Sequence, residues 1–380
     1  MKGLFLKLPP LAPDYSGVGS VLFELGGVVV IHDGTGCTGN YICHDEPRGF
    51  GGSSAIYTSN LRELEVVMGD DEDLLFKLEG VIRDLEPNFL ALLSSPAPMV
   101  IGTDIPALAR ILEKRTSCPV LPFDTHGIAF YDQGQAEAML ALAKRFSRPP
   151  GETAAPYDIN ILGGTPLSLG CPKQMDALIA LFHELGYPRI SSWCMSGDFP
   201  AIQAGAKYNY VVSASGLPAA RWLEKEYGTP CIAGIPVGEA GIKRLKCQLS
   251  GKKFPGALGP GNGRKALVLH EQFTANSWRE ALLWDGWAGD VNVASFFGME
   301  PGLTRPGDIH LTEEDELVAA ARQGKYDIIL ADELLREMLT PYCRRFVPLP
   351  HLAISACFHW NHDFVAIGQA ADDYLEKHLG

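Results

Sequence analysis

Two thiols, Cys37 and Cys43, and five ionisable side chains, Asp33, His44, Asp45, Glu46 and Arg48, crowd one short stretch of the chain, HDGTGCTGNYICHDEPRG from His32 to Gly49. Thiolates bind metals or attack electrophiles, and a cysteine near a helix N-terminus has its thiolate favoured by the helix dipole, as Cys37 would. Gly34, Gly36 and Gly39 would let the backbone turn tightly and approach a ligand. Asp33, His44 and Asp45 are candidate proton donors in a cleft that desolvates and couples them. Plainer readings stand beside these. A glycine-rich turn also closes a βα unit around a small buried cysteine, and Asp45 and Arg48, three apart, pair with each other on a solvated face.

A second group lies near the C-terminus, in Cys357-Phe358-His359-Trp360-Asn361-His362. His359 and His362 are three apart and would share a helical face as a proton-donating or metal-binding pair, unless they merely cap a helix start. Gly163 and Gly164 follow an apolar run and would cradle an anion at the next helix N-terminus, or serve a plain tight turn. Cys171, Cys194 and Asp198 fall at expected strand or helix ends, where they would line one rim or lie buried and inert. No CxxC pair occurs among the nine cysteines, which argues against a zinc ribbon or a ferredoxin-type motif.

The elements that must position these residues alternate. In the first unit an expected helix near Ser16 to Leu25 precedes the apolar run from Val28 to His32. Helix Asp71 to Leu85 leads into strand Phe89 to Leu93, and Ile105 to Lys114 leads into Val120 to Pro122. A second unit shows strands at 157–162, 189–193, 208–213 and 231–235, with helices from Lys173, Asp198 and Pro218. A third shows strands at 265–269, 291–296, 327–331 and 346–348, helices near Asn276, Glu313 and Glu333, and a last helix from Val365 to His378. Pro- and Gly-rich linkers at 147–156 and 250–263 separate them. The pattern predicts an α/β protein of three Rossmann-like domains, 1–150, 151–250 and 264–380, each a mostly parallel sheet flanked by helices, with a cleft where strand ends converge.

Composition narrows the partners. Thirty-two basic against 45 acidic residues give a net charge of −13 with no long basic run, so nucleic acid is not an expected partner. No apolar stretch of about twenty residues appears and residues 1–11 lack a signal-peptide core, so no membrane association and a cytoplasmic location are expected.

The segment LPPLAPDYSGVGSVLFELGGVVVIHDGTGCTGNY resembles the N-terminal cluster region of the nitrogenase component 1 family, which includes nitrogenase, its cofactor-assembly scaffolds and dark-operative tetrapyrrole reductases. TSNLRELEVVMGDDEDL, LLSSPAPMVIGTDIPALARIL, ILGGTPLSLGCPKQMDALIALFHELGY, LEKEYGTPCIAGIPVG and FHWNHDFVAIGQAADDYL resemble later family segments in order. The resemblance implies a cluster-ligating role for Cys37 and places His359 where molybdenum members put a cofactor histidine. The sequence also departs from the family: Pro9 to Pro13 holds no cysteine, the Cys-Pro turn reads Ser94-Ser95-Pro96-Ala97, and Tyr210 to Ser215 carries no thiol. A P-type cluster and an iron–molybdenum cofactor are therefore not expected. Cys37 and Cys43 from each of two chains would instead supply four thiolates for one [4Fe–4S] cluster at a dimer interface. Since the sequence has no P-loop, the resemblance implies a separate ATP-dependent, nitrogenase reductase-like iron protein as electron donor, and a homodimer or a heterodimer with a paralogue. Reduction of a ligand in the interdomain cleft is one expected function; a non-catalytic carrier or scaffold for a metallocofactor or tetrapyrrole is the alternative.

Overall fold

Short apolar runs become parallel strands because helices cover both sheet faces, leaving no side that must be polar. The computed structural model describes residues 7–8, 11–49, 51–69, 71–152, 156–256, 262–360 and 363–380. Its first sheet has the order β2-β1-β3-β4, formed by β1 (Val28–Ile31), β2 (Ala55–Thr58), β3 (Leu90–Leu93) and β4 (Val120–Phe123). The second has the order β6-β5-β7-β8, from β5 (Tyr157–Leu162), β6 (Ile190–Ser192), β7 (Ala206–Val211) and β8 (Cys231–Ala233). The third, β11-β10-β9-β12-β13, comprises β9 (Lys265–Leu269), β10 (Asp290–Ser295), β11 (Ile309–His310), β12 (Tyr326–Ala331) and β13 (Cys343–Pro348). Every pairing within these sheets is parallel. Three Rossmann-like sheets flanked by helices are thus present, as the alternating pattern predicts.

Each sheet reverses strand order once, between β1 and β3, β5 and β7, and β9 and β12, and a ligand crevice is expected outside the carboxyl ends at such points. The Tyr131–Phe146 helix joins the three units. It packs on the Asp14–Leu22 helix through glycines, since a Cβ on Gly17 would lie 1.9 Å from the Tyr131 carbonyl oxygen and one on Gly134 1.9 Å from that of Asp14. Its Gln135 side chain bonds Thr165 and accepts from the Ser215 hydroxyl in the second unit. Towards the third unit, Tyr131 Oη meets His351 Nε2 at 3.3 Å and Asp132 accepts from the Gly298 amide at 2.7 Å. The start of the chain is also tied to the third unit: Glu314 accepts from the Lys7 and Leu8 amides, and the Ala12 amide donates to the Ala353 carbonyl.

Several boundaries differ from expectation. The first helix runs Asp14–Leu22, starting where the Asp14 carboxylate also accepts from the His126 and Gly127 amides. The last helix begins at Gln369, because Ile367 and Gly368 bridge Val237 and Gly368 has a left-handed φ of 62°. Near Glu333 there are only short turns, Glu333–Leu335 and Arg336–Leu339. His359 ends a 3₁₀ turn, Ala356–His359, and His362 lies outside the described residues, so no shared helical face is described for that pair.

Candidate functional site

At the first strand-order reversal, β1 ends in His32-Asp33 and β3 in Ser94-Ser95, and Cys37 sits beside both. Asp33 is buried and its Oδ2 accepts from the Thr35 and Cys37 amides at 3.0 and 2.7 Å, so its carboxylate clamps the turn. Ser95 closes the other side, donating to the His32 carbonyl at 2.9 Å. The Cys37 thiol is half-buried near Tyr15, Ser95 and Asp33; burial and the Asp33 charge push it up. That corrects the expected dipole-favoured thiolate: Gly36–Asn40 is a helix of five residues, too short to outweigh a neighbouring carboxylate.

The glycines also behave differently from expectation. Gly34, Gly36 and Gly39 are exposed and none has a positive φ; Thr35 takes the left-handed conformation, at φ 119°. A β-branched residue there is strained, and such strain persists only where the surroundings impose it. A Cβ on Gly39 would meet nothing within 4 Å, so this face is open rather than folded against its own chain.

After the glycines the chain makes a π-helical turn, Tyr41–Asp45, with Cys43 and His44 exposed on it. Asp45 faces inward, accepting from Ser16 Oγ at 2.6 Å and Asn40 Nδ2 at 3.0 Å, and burial pushes its carboxyl up to about 6. It does not pair with Arg48. Arg48 is held by Glu46 at 2.7 Å and Glu24 at 3.0 Å and donates to the Ser20 and Cys194 carbonyls, bridging the first and second units internally. The wider i→i+5 turn at 41–45 shifts side-chain phase, so the three-residue spacing does not bring 45 and 48 together.

The second reversal point is filled by the chain itself. A Cβ on Gly163 would strike Ser213 Oγ and one on Gly164 the Met175 methyl, while the Gly163 carbonyl accepts from Ser168 and Ser213. The following helix, Pro166–Leu169, is a single turn. Cys194 is fully buried and pushed up to about 12, whereas Cys171 borders the second and third units, donating to the Phe364 carbonyl, and Asp198 is exposed. These three do not share a rim.

The third reversal point carries residues that went unnoticed in the sequence. His270 and Glu271 leave β9, Asp332 leaves β12, and His351 follows β13, all buried. The two imidazoles stack at 3.8 Å, burial pushes His270 down to about 4, and its Nδ1 has no partner among the described residues. Glu271 accepts from the Ala214 amide at 2.8 Å and from the Phe273 and Thr274 amides at 2.9 and 3.2 Å; burial nonetheless pushes it up to about 7. The only sequence signal was a polar triplet, His270-Glu271-Gln272, abutting an apolar strand.

Between the second and third units a cleft is lined by Cys171, Gln174, His270, Thr274, Trp278 and His359. Its volume is about 20 Å³, room for a water molecule, so a larger ligand would enter only with movement of the lining side chains. The turn bearing His359 packs against the Tyr41–Asp45 turn, so the structure brings Cys43, His44 and His359 into one region. Among the described residues no group of three or more His, Cys, Asp or Glu side chains is disposed to hold a metal ion, and none of their helices is long and apolar enough to cross a membrane.

Three parallel sheets flanked by helices are the architecture of the nitrogenase component 1 type oxidoreductases. The chain belongs to that family, matching it over residues 13–251. Among curated relatives, it is 26% identical over 310 residues to the nitrogenase iron-molybdenum cofactor biosynthesis protein NifE of Bradyrhizobium diazoefficiens, covering 74% of this chain and 54% of that one. It is 24% identical over 193 residues to a nitrogenase molybdenum-iron protein alpha chain of Methanosarcina barkeri, covering 49% of this chain and 36% of that one. It is 29% identical over 171 residues to a light-independent protochlorophyllide reductase component of Roseiflexus sp. (strain RS-1), covering 42% of this chain and 28% of that one. The chain thus spans about half or less of the length of these relatives. A solved structure described as nitrogenase Cp1 at pH 6.5 superposes with a TM-score of 0.74 at 13% identity, covering 99% of this chain and 93% of that one, a likeness of fold.

Proposed function

We propose that the chain is the electron-accepting subunit of a component 1-type oxidoreductase, acting in the cytoplasm as a dimer with a nitrogenase reductase-like iron protein as donor. The observation that carries this reading is the packing of the Tyr41–Asp45 turn, which bears Cys43, against the Ala356–His359 turn that lines the cleft. Thiols at an open face then lie next to the place where a ligand would be reduced. One chain offers two thiols there, half the set a [4Fe–4S] cluster needs, and a two-fold copy completes it. An exposed apolar border supports such pairing: Val100 is 78% and Ile128 72% exposed, and the loop carrying Ile128 packs on Pro96 and Tyr15 beside Cys37.

When bound, the cluster would supply one-electron transfer. The chain's own part is to present Cys37 on an amide held by Asp33, with the Tyr15 hydroxyl directed to its sulfur, so that the thiolate is oriented and hydrogen-bonded. His44 and His359, on the two apposed turns, are the proposed proton donors, and Asp45 supports the turn from inside. Nine unpaired cysteines fit a reducing compartment. The serines at 94 and 95 are buried, and Ser213 and Ser215 bond each other, so these positions do not fit the additional thiolates of a larger cluster or cofactor.

Iron and acid-labile sulfide are measured on anaerobically purified wild type, Cys37→Ala, Cys43→Ala and, as a fold control, Cys118→Ala. The proposal expects about two irons per chain, lost in the first two variants and kept in the third. Iron-free wild type, or iron indifferent to Cys37, sinks it. A second reading, a non-catalytic carrier of a metallocofactor or tetrapyrrole, is favoured by the cofactor biosynthesis role in the name of the NifE relative. It predicts stoichiometric ligand binding without turnover when the reductase and ATP are supplied.

A further inference from the structure

Behind the cleft, on the far side of the Gln272–Trp284 helix, a separate pocket of about 270 Å³ opens between the end of β8, that helix and the loop around Leu303. Arg244, Arg279 and Arg305 line it, with Glu280 among them and Phe273 and Leu303 as its apolar wall. Three guanidinium groups in one small pocket are unexpected in a chain whose formal charge is −13.

The arginines are only partly spent on the protein. Arg279 is 2% exposed; one terminal nitrogen pairs with Asp308 at 2.6 Å and the other bonds Asn276, but its Nε has no partner among the described residues. Arg244 pairs with Glu280 at 2.7 Å and donates to the Ile235 carbonyl at 3.0 Å, again leaving its Nε without a partner. The Arg305 side chain is exposed at the mouth and makes no hydrogen bond or ion pair among the described residues. Glu280 and Asp308 cancel two of the three charges, so one positive charge is left over beside two buried N–H donors that have no partner among the described residues. Unmatched buried donors of a charged group are costly, and a bound oxyanion would satisfy them. The donors come from different elements, the Gly238–Leu249 helix, the Gln272–Trp284 helix and the 301–305 loop. A tetrahedral oxyanion accepts from several directions at once, whereas a planar carboxylate is served by a single fork.

We propose that this pocket binds a phosphate group, free or as the head of a small monoester, between Arg244, Arg279 and Arg305. It is independent of any cluster at Cys37. The pocket lies just under the ~300 Å³ at which small-molecule sites begin, so the body attached to the phosphate is small.

Calorimetric titration of the purified full chain with inorganic phosphate, phenyl phosphate and, at matched ionic strength, acetate tests this. Saturable one-to-one phosphate binding is expected, weakened about tenfold by Arg305→Ala, whose side chain supports nothing else, and comparably by Arg244→Gln. Tighter phenyl phosphate points to a monoester and equal binding to free phosphate; both uphold the site. No saturable phosphate binding, affinity unchanged in Arg305→Ala, or acetate binding as strongly as phosphate overturns it.

Discussion

Glu271 sets burial against hydrogen bonding at one carboxyl, and replacing it with glutamine separates the two. Three backbone amides, from Ala214, Phe273 and Thr274, favour the charged form, while complete burial and the nearby Asp132 favour the neutral one, and the balance is a pKa raised from 4.5 to about 7. Between those values the native carboxyl holds a proton that the unfolded one has lost. Folding then takes up a proton, and stability contributed below pH 4.5 is lost as pH rises through 7. At ~1.4 kcal/mol per unit the loss is about 3 kcal/mol. Glu271→Gln cannot titrate, so the difference in unfolding free energy, wild type minus variant, should fall by about that amount from pH 4.5 to 7 and stay flat outside the window. His270 and His351 also titrate between the native and unfolded states, but they do so in both proteins and cancel. A constant offset of ~1–3 kcal/mol is added because the glutamine nitrogen cannot accept from an amide. Urea denaturation across pH reads both quantities. A difference that rises with pH would show that the three amides outweigh burial, and the reasoning about this carboxyl would be refuted.

Arg48→Ala should destabilise by ~3–5 kcal/mol in denaturant melts, because the Glu46 carboxylate, fully buried, loses its partner. Arg48→Lys should recover little of it, since one ammonium cannot reach Glu46, Glu24 and two carbonyls; full recovery would show that charge alone matters. Gly17→Ala and Gly134→Ala should each cost at least ~1–3 kcal/mol by thermal unfolding, since each added methyl meets a backbone oxygen at 1.9 Å, and a neutral result would contradict that helix contact. Thr35→Gly should stabilise by about 1 kcal/mol by relieving a left-handed φ of 119°, and a loss of stability would mean the threonine side chain contributes more than the strain removes.

The strands could be read because VVVI, LALL and KALVL are buried on both faces and appear as unbroken apolar runs. Residues 131–146 gave no comparable signal. Its first half buries Asp132, Gly134 and Gln135, small or polar groups that fit a tight junction between units, so the apolar stripe is confined to Ala138, Met139, Leu142, Ala143 and Phe146. β2 was missed for a related reason, being half-buried at a sheet edge. The glycine turn was found from composition, yet its inner workings were not. Which residue takes the left-handed φ, and whether Asp45 meets Arg48 or Ser16, depends on the π-helical turn that shifts the side-chain phase. His270, Glu271 and His351 look like ordinary loop residues until β9 and β13 are seen flanking β12 in one sheet.

The ties between Lys7 and Leu8 and Glu314 have a consequence for how the protein is made. Leu8 and its acceptor are 306 positions apart. At ribosomal speeds of ~5–20 residues per second, the first segment emerges roughly 15–60 s before its partner exists. During that interval Leu8 and Leu11 lack most of their native cover, which comes from the third unit. The nascent chain is therefore a natural client for a holding chaperone, and its yield in a cell should depend on chaperone supply even where the finished protein is stable.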